Sequence, residues 1–249
     1  HQFKQDTSFV AKYKKTIDAG IITPIPDIKS KGLTVSESLK DGDNWINNFI
    51  PSEEALKNAI KINTPDGKAQ ALPDGAKVEF GDGEIGKWNK YDNLEAILYD
   101  KLREKDDGNK PSRDEKIKAL ITVDGWSKIV ELPIKVNKNI YEAKTLQGAP
   151  DYVPDGYVKV ELNPTKDAQD SQKTYYYVNP KAMVKIPGND PTPVEGKVFA
   201  GWVLKAGDKD KVSYKLANRH KFTDESNVIK ATFVSDIVEQ EGDDKPNVP

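Results

Sequence analysis

Apolar residues recur along this chain at two spacings, and the switch between them organises it. From Ser52 the spacing is helical, with Ala55, Leu56, Ala59 and Ile60 on one stripe. Ser52 after Pro51 is placed to cap that helix, and Glu53 and Glu54 suit its positive end. A second helix is predicted from Asp92, which has capping-box spacing to Glu95, with Leu94, Ile97, Leu98 and Leu102 at helical period. The polar run Lys105 to Asn109 ends it.

The period then drops to two. Ile117, Ala119, Ile121 and Val123 alternate with polar residues up to Asp124-Gly125, and Val130, Leu132, Ile134 and Val136 alternate after it, which predicts a β-hairpin. Ser112 and Glu115 also have capping-box spacing, but the period-2 run behind them outweighs it. Pro133 has no donor for a ladder, so its strand is expected at a sheet edge. Beyond residue 150 strands dominate: Val158, Val160 and Leu162; Tyr175 and Tyr177; Val184 and Ile186; Val198 to Val203; and Ile229, Ala231 and Phe233. Gly201 beside Trp202 is expected where backbone passes close to a packed indole.

The chain's 249 residues suffice for one or two domains, and the period change favours two. Lys+Arg 38 against Asp+Glu 40 leaves a net charge of -2, so no basic field is present to hold nucleic acid. No apolar run reaches the length of a membrane span, so no membrane insertion is expected in this segment, and His1-Gln2-Phe3-Lys4 is not a secretory signal. The absence of cysteine removes thiol nucleophiles, thiolate zinc sites and disulfides.

The ends echo the interior. His1 to Tyr13 aligns with His220 to Phe233 with one extra residue in the latter, and Gly148 to Pro154 is echoed by Asp244 to Pro249. Residues 1–20 are therefore expected to be the C-terminal remnant of a preceding repeat with its linker, and residues 240–249 a linker to a next module. Between them lie a mixed module at 21–145, opened by the proline-bearing Ile21 to Pro26, and a β-rich module at 146–239.

Each module resembles a known repeat. Asp190-Pro191-Thr192, Gly196, Val198-Phe199-Ala200-Gly201-Trp202, Tyr214, Phe222 and Ile229 to Phe233 resemble the β-grasp B-repeat of the internalin and Listeria-Bacteroides type, with departures at Val178-Asn179-Pro180 and Gly207 to Lys211. Leu72-Pro73-Asp74-Gly75-Ala76 and the hairpin from Glu115 to Val136 resemble the Rib, or alpha-like, domains of Gram-positive surface proteins. The helical stretches Ser52 to Ile62 and Asp92 to Lys105 exceed that pattern. The resemblances imply a mainly β fold with α+β character: a Rib/Ig-like β module with helical insertions and a small β-grasp-like module, in tandem. They further imply an extracellular, cell-wall location on a Gram-positive bacterium. Some related surface domains carry Lys–Asn isopeptide cross-links, but spacing selects no pair in this chain.

The supply of catalytic groups is thin. His220 stands between Arg219 and Lys221, whose charge is expected to lower its proton affinity, and its place in the repeated His-x-Phe element gives it a structural role; His1 shares that explanation or is a tag remnant. Asp41-Gly42-Asp43-Asn44 with Asn47 and Asn48 offers calcium-type oxygens but lacks the glycine and glutamate of an EF-hand, and reads as a solvated turn. Gly81 to Gly86 is glycine-rich but acidic, with no following G-K-[ST], and fails as a phosphate loop. Asp106 and Asp107 read as surface charge. No catalytic residue, metal ligand or cofactor is expected.

Two aromatic residues stand out as ligand contacts. Tyr176 is expected to point outward if Tyr175 and Tyr177 pack inward, there to meet either a neighbouring loop, the favoured reading, or a ligand, and Trp88 is the second candidate. Trp45, with Ile46, Phe49 and Ile50, is expected in the first core. The leading expectation is a noncatalytic, monomeric spacer in a wall-anchored adhesin, in contact with neighbouring modules of the same chain. The alternative is an adhesive first module recognising a host protein or glycan through its helical insertions, and an acid-dependent hydrolase is a distant third.

Overall fold

The computed structural model describes residues 27–236 except 64, 65, 107, 109, 124 and 125. The expectations for 1–20, for Ile21 to Pro26 and for 240–249 lie outside these residues. The fold is mainly β, and it divides into two compact units, one ending at Lys138 and the other beginning at Asn139.

In the first unit the chain forms β1 (Asp27–Ser30), β2 (Leu33–Ser36), β3 (Leu39–Asp41), β4 (Asn44–Asn47), α1 (Glu53–Asn58), β5 (Ile60–Asn63) and β6 (Ala69–Gln70). It continues through β7 (Lys77–Glu84), β8 (Lys87–Lys90), α2 (Leu94–Leu102), β9 (Ser112–Val123) and β10 (Trp126–Asn137). The main sheet has the order β2-β10-β9-β7-β8; β1-β5-β6 and β3-β4 form smaller sheets.

The spine is the hairpin of β9 and β10, paired without a break from Val123↔Trp126 to Ser112↔Asn137. That register leaves two residues between the strands, as the Asp-Gly signal predicts. Alternation aims Ile117, Ala119, Ile121, Leu132, Ile134 and Val136 inward, where Phe80, Leu56, Leu98 and Leu102 meet them. The helices thus serve as lids for this sheet. α1 is capped by Ser52, whose Oγ accepts the Ala55 N–H at 3.1 Å. α2 is capped by Asn93, which accepts from Ala96 N at 3.0 Å, and not by Asp92. Asn93 meets the same requirement for a side-chain acceptor one residue later.

Pro133 departs from expectation in part. Its strand is internal over Ile134 to Asn137, where β2 pairs with it in parallel, and Pro133 is the last residue before that pairing begins. β1 lies beside the preceding stretch, with Ser30 Oγ donating to Glu131 O at 2.7 Å.

The parallel closure is locked by charge. Glu37, just past β2, is 5 % exposed and pairs with Arg113 on β9. Arg113 Nη2 also donates to Arg103 O at 2.6 Å and to Lys101 O at 3.2 Å, where the negative end of α2 attracts a cation. Ser38 N donates to Leu102 O at 2.9 Å and Glu37 N to Asn137 O at 3.0 Å, so β2, β10 and α2 end at one point.

The second unit comprises β11 (Ile140–Ala143), β12 (Val158–Asn163), β13 (Thr174–Val178), β14 (Lys197–Ala206), β15 (Val212–Tyr214) and β16 (Ser226–Ser235), in the order β11-β13-β12-β16-β14-β15. β12 and β16 are parallel and central. The boundary falls earlier than the predicted 145/146 because β11 pairs with β13, and Asn139 is fixed to Asn179 by a backbone bond of 2.9 Å and a buried amide bond of 3.0 Å.

Both faces of this sheet are covered near β13. Val158, Val160 and Leu162 share a face with Tyr176, because Val160 pairs with Tyr176. The segment after β13 passes over that face: the Tyr176 hydroxyl donates to Pro187 O at 3.2 Å, and a Cβ on Gly188 would stand 3.2 Å from Leu162 Cδ2. On the opposite face Tyr177 is buried with Tyr141 and Val153, against Tyr157.

His220 belongs to this packing. Its backbone exchanges hydrogen bonds with Val184 at 2.8 and 2.9 Å, and its ring lies edge-on to Phe222 at 4.7 Å and to Tyr214 at 5.8 Å. Burial holds its pKa below the ordinary value of 6.5, so the cause is desolvation and not the expected charge of Arg219 and Lys221.

Two outcomes follow from these contacts. Arg113→Met removes the guanidinium that faces the buried Glu37 carboxylate and should cost the first unit about 3–5 kcal/mol, with partial recovery when Glu37→Met is added. Urea unfolding followed by NMR signals of each unit checks this, and the second unit's midpoint should not move. For His220 the unfolded state binds the proton more readily, so its contribution is complete above about pH 6.5 and is lost as pH falls from there through the lowered folded pKa. His220→Phe should flatten that part of the second unit's stability-against-pH curve; an unchanged slope would show that the ring's titration is not linked to folding.

Candidate functional site

The second unit carries a groove of about 520 Å³ beside β14 and β15. Its aromatic lining comes from Phe199, Trp202 and Tyr214. Residues 199 and 202 are an odd number apart, so a regular strand would send them to opposite faces. The pairing of β14 with β16 shifts between Phe199 and Gly201, and this bulge brings the two rings together at 5.8 Å, edge to face. Gly201 supplies the backbone for it with φ +127. Apart from its own chain neighbours, no heavy atom of the described residues lies within 4 Å of where its Cβ would be, so the expected close approach is corrected: this glycine answers a dihedral demand.

Trp202 is buried and donates its indole N–H to Asp190 Oδ1 at 2.8 Å, which fixes ring and carboxylate together. Tyr214 pairs directly with Trp202 across β14 and β15. It is 7 % exposed, its hydroxyl has no hydrogen-bond partner, and burial pushes its pKa up to about 12. Lys185, Asn189 and Lys215 complete the polar lining. Asp190 is the sole carboxylate of that lining, whereas glycoside hydrolysis in its usual form needs two. The arrangement offers stacking surfaces, donors and one oriented acceptor.

The residues predicted as ligand contacts lie elsewhere. Tyr176 is 4 % exposed, which corrects the expectation of an outward ring: it faces the main core, and Tyr177 is covered on the other side by the Tyr141 cluster. Desolvation, with Glu142 nearby, raises the Tyr176 pKa to about 12. Trp88 is half-buried on β8, diagonal to Gly81, where an added Cβ would stand 2.9 Å from its indole. It shields a glycine in the ladder. Trp45 is also only half-buried and stands outside the first core, edge-on to Tyr99 at 5.3 Å and under Lys40 Nζ at 4.1 Å.

The remaining motifs are local structure. Asp41 to Asn44 forms the exposed turn between β3 and β4, and Gly81 to Gly86 the tip of the β7–β8 hairpin. Among the described residues no group of three or more His, Cys, Asp or Glu is placed to hold a metal ion. Asp106 is exposed; Asp107 and His1 lie outside the described residues. No described helix is long and apolar enough to cross a membrane.

Sequence reasoning picked out Trp202 and Gly201 but not Asp190, Tyr214, Lys185 or Lys215 as neighbours, because they converge through the fold. The signal that was present is the aromatic-Gly-Trp triplet after an Asp-Pro step. No protein-family model, no curated protein and no solved structure matches this chain.

Proposed function

We propose that this chain is a noncatalytic, extracellular segment of a wall-anchored surface protein of a Gram-positive bacterium, and that its work is to hold and transmit load as a spacer. The observation that carries this reading is the direction of the strands near the two ends of each unit, where in the first unit β1, which precedes β2, pairs antiparallel with β5. In the first, β2 and the outgoing β10 are parallel; in the second, β11, β12 and the outgoing β16 all run the same way. A pull along these strands loads the hydrogen bonds of the short β2–β10 and β12–β16 pairings in shear, together and not one by one. Antiparallel terminal strands would unzip bond by bond.

Local features support the family readings behind this proposal. In the second unit, β12 and β16 are parallel at the centre and each is flanked by an antiparallel partner, as in a β-grasp sheet. In the first, Leu72 to Ala76 makes a turn, with Gly75 at φ +83 and Ala76 N donating to Pro73 O at 3.1 Å, ahead of β7 and the long hairpin. The alternative of an adhesive first unit rested on its helices. Leu56, Leu98 and Leu102 of those helices are 0 to 1 % exposed, which spends their apolar faces on the core.

Single-molecule pulling tests the proposal. With the chain held by its ends, the two units should give two separate high-force events. With one handle moved to Ile85, at the exposed tip between β7 and β8, the first unit should yield at clearly lower force, because the sheet then peels from its edge. Equal forces in the two geometries would remove the mechanical basis of the spacer reading.

A further inference from the structure

We infer that the groove beside β14 and β15 is a binding site for a carboxylate-bearing saccharide. This is independent of the spacer reading, since the groove lies within one unit and its lining residues are not those of the parallel β12–β16 pairing.

Three observations meet there. The first is an unmet hydrogen bond: Tyr214 lines the groove, and its hydroxyl, closed off from solvent, has no partner among the described residues, a state that costs free energy unless a guest or water reaches it. The second is charge. Lys185 and Lys215 line the groove as exposed cations without an acidic partner, while Asp190, the single carboxylate, already accepts the Trp202 indole N–H. The local balance favours an anionic guest. The third is shape and surface. A volume of about 520 Å³ falls within the span of small-ligand sites, and the half-buried Phe199 beside Trp202 offers aromatic surface of the kind that stacks on the C–H face of a sugar ring.

Saccharide chemistry uses all three together. A ring face packs on Phe199, hydroxyls meet the Asn189 amide, the free lone pairs of Asp190 and, once its cover gives way, the Tyr214 hydroxyl, and the carboxylate is met by the lysines. A bare inorganic anion would use the lysines alone and leave the aromatic surface and the tyrosine unanswered. The Asp190–Trp202 bond and the Gly201 bulge hold this arrangement without a ligand, so the guest meets a preformed surface.

The full chain titrated with methyl glucuronide and with the methyl glycoside of N-acetylneuraminic acid, followed by the Trp202 indole N–H signal, tests this. At least one acid should saturate the site, with methyl glucoside or the sugar's methyl ester about tenfold weaker or worse. Lys185→Gln with Lys215→Gln should erase the preference for the acid. Tyr214→Phe should weaken binding about tenfold while the second unit's urea midpoint holds or rises, because the hydroxyl removed has no protein partner. The inference is overturned if neither acid shifts the indole signal saturably, if the neutral sugars bind as well as the acids, if inorganic phosphate competes at equal concentration, or if Tyr214→Phe binds unchanged.

Discussion

Parallel pairing between a strand near the start of each unit and the strand by which the chain leaves it is the constraint from which the rest follows. Parallel neighbours cannot be joined by a tight turn, so everything between β2 and β10, and between β12 and β16, has to travel around the sheet and back. In the first unit that return path carries the helices and β3 to β9; in the second it carries β13 to β15 and the irregular stretches that include Val184 and His220. The covering elements are consequences of the closure, and their apolar residues supply the cores. At the first closure the Glu37–Arg113 pair is buried because three elements end together, and the guanidinium serves strand, strand and helix terminus at once.

Surface charge contributes little to this architecture. Lys118–Asp82 at 2.7 Å and Lys116–Glu131 at 2.9 Å cross between neighbouring strands in the open, where screening and side-chain entropy offset most of the attraction. The Asp82 pKa is held below its ordinary value, first by the hydrogen bond from Lys118. These pairs suit a sheet face turned to water. The discriminating polar contacts are the buried ones, Asn139 with Asn179 and Glu37 with Arg113, where a wrong partner would leave an unsatisfied group.

What was legible in the sequence is what local period and local caps control. The β9–β10 hairpin could be read because each of its inward positions faces a single core, and Ser52 because a cap acts over three residues. Asp92 was read in place of Asn93 because both side chains offer an acceptor and only the packing of Leu98 and Leu102 selects the frame. Tyr176 was misread for a deeper reason. Alternation shows which residues share a face, but not that both faces are covered, and the Tyr141 cover arrives from a strand more than thirty residues upstream. The groove was hidden likewise, since Asp190, Trp202 and Tyr214 are brought together by a turn, a bulge and an edge strand.

The bulge at Ala200 gives the second unit a countable dependence. Remove that one residue and Phe199 and Trp202 stand two apart on a regular strand, so both rings keep their face with no bulge at all; keep the residue but straighten the strand, and Phe199 changes sides and the aromatic wall loses half its width. A chain with one residue between that phenylalanine and tryptophan would therefore keep the recess on a plain strand, whereas one with two between them, as here, keeps it only through a bulge.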